Sequence, residues 1–170
     1  TFPQLFITSA EVSFLKAEIY NRGIGGVAAN PALAKQYYEE GVTESVKFWY
    51  GLANGSSIWQ VNKPAATPTA LELSTMLANP AVAYSATPST ALEQIYKQSW
   101  IAFFHQPLEA WNLQRRTGGK TPAEALSPSS PVLNFNKLIY PTSETESNYD
   151  NWKAVTGGTN DEKVKPWFMP

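Results

Sequence analysis

Through roughly the first two thirds of the chain, apolar residues recur with the period of a helix rather than of a strand. Thr8-x-x-Glu11 has the form of a capping box: the hydroxyl can accept from a free amide and the carboxylate can reach back. After it, Val12, Leu15 and Ile19, with the small Ala10 and Ala17, predict one apolar helical stripe. The run NRGIGG, Asn21 to Gly26, ends that helix, because glycine enters the left-handed C-terminal conformation without steric cost. Asn30-Pro31 predicts a second start, an N-cap residue followed by proline at the first helical position. Ala34, Tyr38, Val42, Val46, Trp49 and Ala53 then recur at spacings of three and four until Asn54-Gly55 closes the helix. Gly41 inside it costs about 1 kcal/mol against alanine, so its presence predicts a close helix crossing.

The pattern changes after this hairpin. Ser56–Thr69 reads as a loop holding Trp59, and Pro68–Ala78 as a short helix ending before Asn79-Pro80. Thr87-Pro88 opens a longer helix carrying Leu92, Ile95, Tyr96, Ser99, Trp100 and Phe103. Pro107 lacks an amide donor and clashes with the preceding turn, so a break is expected near His105–Gln106. A further helix then runs from Pro107 to Arg116, with Thr117-Gly118-Gly119 ending it. Leu108, Trp111 and Arg115 share one of its faces, and the two arginines of its last turn offset the negative helix end. Beyond Thr121 turn-forming residues abound and no period is sustained. The fold class predicted is all-α, in three parts: a helical hairpin over 1–54, further helices over 55–118 and a long irregular tail over 119–170. The hairpin's small and aromatic residues look like a tetratricopeptide unit, which cannot bury its apolar face without neighbours.

Composition narrows the function. At 170 residues the chain is of single-domain size, and a net charge of −1 with no dense basic segment disfavours nucleic acid as a partner. The absence of cysteine excludes thiolate catalysis and zinc–cysteine sites. Charged residues make up 16%, against about 25% in ordinary globular chains, while aromatics reach 13%. Loops rich in Ser, Thr, Asn and Pro suit a surface that works through hydroxyls, amides and aromatic faces. The opening TFPQLFITSAE, with no initiating methionine, reads as part of a longer protein.

No catalytic set emerges. His105 is the chain's one histidine and has no serine, cysteine or second ligand in pattern beside it. No spacing suggests a metal site, and no cofactor motif occurs; GIGG at Gly23–Gly26 follows a helix, the wrong context for a phosphate loop. Glycoside hydrolysis needs two opposed carboxylates, whereas Glu39 and Glu40 are adjacent on a helix and diverge. Trp59, set among Gly, Ser, Gln and Asn, is the candidate ligand contact, since a pyranose offers a flat C–H face and hydroxyls. The competing reading makes Trp59 a hydrophobic anchor of its own loop. Tyr149 and Trp152 read as structural.

One stretch goes further. LEQIYKQSWIAFFHQPLEAWNLQRRTG, Leu92 to Gly118, resembles the signature of the SusD/RagB family of surface nutrient-binding lipoproteins of Bacteroidetes. Ile95, Gln98, Trp100 and Ala102 match the family's first helix, and Glu109, Ala110, Trp111, Arg115, Arg116, Thr117 and Gly118 match its E-A-W-x-x-x-R-R-T-G element. Downstream, Tyr140, Pro141, Glu144, Asn148 and Asn151 match its Y-P-x-x-E-x-x-x-N-x-x-N element, and VKPWF is similar to the tryptophan-rich end of many members. Lys137 stands where the family usually has arginine, keeping the charge but not the bidentate fork. The resemblance implies roughly the C-terminal third of a non-enzymatic outer-membrane protein, held by an N-terminal lipid anchor that this chain lacks. Such a protein captures a nutrient, foremost an oligosaccharide, and delivers it to a SusC-type TonB-dependent transporter. It further implies that Gln98, Trp100, Glu109, Trp111, Arg115, Arg116, Tyr140, Glu144 and Asn148 are architecture that ties the tail down, not ligand contacts. A helical scaffold for proteins or peptides is the alternative, and a carbohydrate-active hydrolase a more distant one.

Overall fold

The computed structural model describes residues 4–58, 61, 63, 66–122, 136–167 and 169. Among them every regular element is a helix: α1 (Ser9–Arg22), α2 (Pro31–Gly55), α3 (Ala70–Ala78), α4 (Pro88–Ala102), α5 (Pro107–Arg116), α6 (Thr142–Ser147) and α7 (Tyr149–Thr156). The chain divides into two compact units, Thr1–Leu113 and Gln114–Pro170, and the division falls inside α5.

In the first unit α1 and α2 pack as the expected hairpin, and α4 packs against both. The Thr8 hydroxyl accepts from the Glu11 amide at 3.2 Å and so starts α1. Gly23 ends it at φ 65°, its amide donating to the Ile19 carbonyl at 2.8 Å. A side chain there is excluded twice over, because a Cβ would also lie 2.9 Å from the Ala29 backbone nitrogen. Asn30 caps α2 by accepting from the Leu33 amide at 3.1 Å, with Pro31 first in the helix. The crossing foreseen at Gly41 is real: a Cβ on it would sit 2.7 Å from the Phe14 ring.

The buried stripe of α1 differs from the expected one. Ala10, Ser13, Phe14, Ala17 and Glu18 face inward, whereas Val12 and Leu15 are 37% and 44% exposed. Small residues win the inner face because they let α1 approach its neighbours, and Phe14 fills the space that Gly41 leaves. Tyr38 is fully buried and donates from its hydroxyl to the Val82 carbonyl at 2.6 Å. Burial pushes that phenol up to about 12. Glu18, buried on α1, accepts from the Tyr96 hydroxyl of α4 at 2.8 Å and from Arg22 at 2.7 Å, so its charge is matched where it is desolvated.

Polar side chains fix the loop before α4. Gln94 donates to the Ala83 carbonyl and accepts from the Ser85 amide, while the Asn21 amide group donates to the Pro88 carbonyl. A full capping box, Thr69 with Glu72, starts α3. The long helix ends at Ala102, before the break expected at His105–Gln106, because Phe103 turns into the core and the Gln106 amide closes back on its carbonyl at 2.8 Å. On α5, Leu113 is the core residue, whereas Trp111 is half-buried and Leu108 exposed.

The second unit is held differently. The Gly119 amide donates to the Gln114 carbonyl, and Thr121 hydrogen-bonds to the Gln114 side chain. Within the tail α6 and α7 pack together, and Trp152 of α7 is buried. Neither short helix has the length that sequence periodicity needs in order to register.

Candidate functional site

The sequence-derived residues fall into three groups. Trp59, the candidate sugar contact, lies outside the described residues. Gln98 and Trp100 are half-buried on α4, with Trp100 packed against the core. Among the remaining motif residues, Arg115, Tyr140, Glu144 and Asn148 make defined hydrogen bonds. Arg115, on the last turn of α5, donates to the Asn136 carbonyl at 2.8 Å, and burial holds its guanidinium below the usual arginine range. Asn136 in turn donates to the carbonyls of Glu162 and Lys163, at 2.8 Å from its backbone and 2.6 Å from its side chain. Arg115 thus fixes one end of a chain of bonds that gathers 136–163.

Tyr140 is held from both sides by one amide. Asn160 accepts from the Tyr140 backbone N–H at 2.9 Å and donates to its carbonyl at 2.8 Å, the pattern a neighbouring strand would supply. Lys137 places its ammonium 4.8 Å from the centre of the Tyr140 ring. Glu144 accepts from the Asn148 side chain at 2.9 Å, and Asn148 accepts from Asn151 at 2.6 Å. That ladder runs from α6 into α7.

A partly exposed aromatic group, with Phe104 and His105 exposed and Phe48 and Trp49 half-buried, went unrecognised in the sequence. Trp49, near the end of α2, meets Phe104 edge-on at 5.8 Å between ring centres and lies 5.5 Å from the His105 ring. Phe104 and His105 are themselves edge-on at 4.8 Å, and Phe48 contacts Trp49 at 5.1 Å. Trp49 was legible as a position on the α2 stripe. Its meeting with residues more than fifty positions away follows from the α2–α4 packing alone.

Carboxylates give little chemistry. Glu11 has one oxygen buried without a hydrogen-bond partner, and desolvation, reinforced by Glu109, raises its proton affinity. Glu39 pairs with Lys35 at 3.7 Å along the surface of α2. Among the described residues no three histidine, cysteine, aspartate or glutamate side chains gather as a metal site would require. No helix among them is long and apolar enough to cross a membrane.

The all-helical fold of the described residues calls for comparison with known folds. A family model described as starch-binding and associating with the outer membrane, SusD-like, matches residues 1–141, and the chain belongs to this family. A SusD-like protein of Bacteroidetes superposes with a TM-score of 0.69 at 26% identity, covering 95% of this chain and 29% of its own. A SusD homolog from Bacteroides fragilis NCTC 9343 superposes at 0.68 and 24% identity, covering 95% and 34% respectively, and supports the fold. The chain therefore spans about a third of the length of these solved relatives. No curated protein gives a significant match.

Proposed function

We propose that this chain is the C-terminal part of a surface protein that captures a glycan without cleaving it. The captured oligosaccharide passes to a SusC-type TonB-dependent transporter, with a lipid anchor on the N-terminal part holding the protein at the outer membrane. The family match over residues 1–141, with its starch-binding, outer-membrane description, carries this reading. Binding rather than turnover accords with the chemistry of the described residues: the motif carboxylate Glu144 accepts a local hydrogen bond from Asn148, and no nucleophile–base pair is among the contacts described. Trp59 remains the proposed contact, acting by stacking on a pyranose face.

Calorimetry of the full-length protein against maltooligosaccharides tests the capture, and chromatography of the same mixtures tests for cleavage. Saturable binding with intact sugar supports the proposal, and released glucose or shortened oligomers would refute it. Replacing Trp59 with alanine should weaken binding by about tenfold, the loss of one stacking contact of about 1–1.5 kcal/mol. Unchanged affinity would remove Trp59 from the site.

A further inference from the structure

The largest exposed hydrophobic side chains of the first unit include three close together in sequence around the α4–α5 turn. Phe104 is 75% exposed, Leu108 71% and Ile101 46%. Ile101 stands one helical turn before Phe104, and Leu108 lies in the first turn of α5. Phe104 rests against Trp49 and His105, so this apolar surface spans two helices and the turn. A folded chain rarely leaves such a surface bare in its complete state.

The shape discriminates between occupants. A pyranose stacks best on one open, flat ring, but here Trp49–Phe104 and Phe104–His105 meet at 89° and 82°. Phe104 stands edge-on to both Trp49 and His105, which are tilted by 37° to each other. The three rings thus form a step rather than a platform, one that apolar side chains can interlock with, and exposed Ile101 and Leu108 lie three and four residues from Phe104. The solved relatives supply the source of those side chains. They align with nearly all of this chain yet use only 29% and 34% of their own length to do so.

We infer that the step formed by Trp49, Phe104 and His105, with Ile101 and Leu108 at its margins, is where the remaining two thirds or so of the SusD-like protein packs. The inference rests on the proposed reading of this chain as the C-terminal part of such a protein. Its occupant is apolar protein surface supplied by the same polypeptide.

Because the sequence contains no cysteine, Phe104→Cys introduces a single reporter into the 170-residue chain. The same change is made in the full-length protein, and maleimide labelling of the peptide around position 104 is timed by mass spectrometry in both. Denatured samples provide the common reference rate. Labelling at least tenfold slower in the native full-length protein than in the isolated chain is expected, and equal rates would overturn the inference. Leu108→Cys reads the same step should the first variant melt early. Labelling that slows as the isolated chain is concentrated, with a doubled mass by light scattering, would assign the step to a second copy instead. Protection of the full-length protein by maltoheptaose alone would assign it to a sugar. An immunoblot of the native product checks the underlying reading separately: a product no longer than this chain ends that reading whatever the labelling shows.

Discussion

The two units of this chain reach order by opposite means. Thr1–Leu113 carries a side-chain core: Phe14, Tyr38, Val42, Ile95 and Tyr96 interlock across three helices, and two buried polar groups, Glu18 and the Tyr38 hydroxyl, have partners. Gln114–Pro170 buries a single large apolar side chain among its described residues, Trp152, and its order comes from amides bonding to backbone. Hydrophobic burial is non-directional and leaves a periodic trace in the sequence. Hydrogen bonds from Asn136, Asn160 and Arg115 are directional and join positions with no regular spacing. Each such bond contributes about 1 kcal/mol net, so many are needed where few residues are buried.

The largest effects should come from removing each unit's principal ring. Phe14→Ala should cost about 3–5 kcal/mol, as should Trp152→Ala, but at different places. Hydrogen exchange should report deprotection of α1 and α2 in the first variant and of α6 and α7 in the second. Equal deprotection everywhere by either change would break the contrast and make the chain one cooperative unit.

Gly41→Ala tests how tightly the first unit is packed. Alanine gains about 1 kcal/mol in helix propensity, yet its methyl would press on the Phe14 ring, and overpacking costs about 1–3 kcal/mol. A net loss of about 1 kcal/mol in chemical denaturation is expected. A gain would show that Phe14 moves aside freely.

In the second unit Asn160→Ala removes both bonds to Tyr140. Since they are exposed, the loss should be about 0.5–1 kcal/mol, with faster exchange of the Tyr140 amide as its signature. No change in that amide would remove Asn160 from the account of how the tail is held.

The smallest effect is electrostatic. Folding raises the proton affinity of Glu11, so the native state binds its proton more readily than the unfolded state does. The penalty is present in full above the folded-state pKa and is relieved as pH falls through that value toward 4.5, the ordinary value. Glu11→Gln should therefore be no less stable than the parent at pH 7, and the difference should shrink on acidification. A variant that loses stability at pH 7 would show that the ionised carboxylate contributes favourably.

Helix starts and stops were legible because they depend on neighbouring residues only: Thr8, Asn30-Pro31, Gly23 and Thr87-Pro88 stand where the structure uses them. Gly41 announced a helix crossing but not its partner, Phe14. The inner face of α1 was misread because Val12 and Leu15 are more apolar than Ala10 and Ala17, and apolarity alone ignores how closely two helices can approach. The motif from Glu109 to Gly118, with its counterpart from Tyr140 to Asn151, identified the family, although no periodicity marks the tail.

By itself, then, the sequence determined the all-α class, the helix boundaries of the hairpin and the family, since caps, turns and signature residues are short-range or literal. Only the tertiary structure decided that Glu18 of α1 meets Tyr96 of α4, that Trp49 joins Phe104 and His105, and that Arg115 holds the Asn136 carbonyl. Each of those contacts spans a sequence separation that loop closure bridges at an entropic cost. Packing and hydrogen-bond geometry select which pairs repay that cost, and no local pattern records the choice.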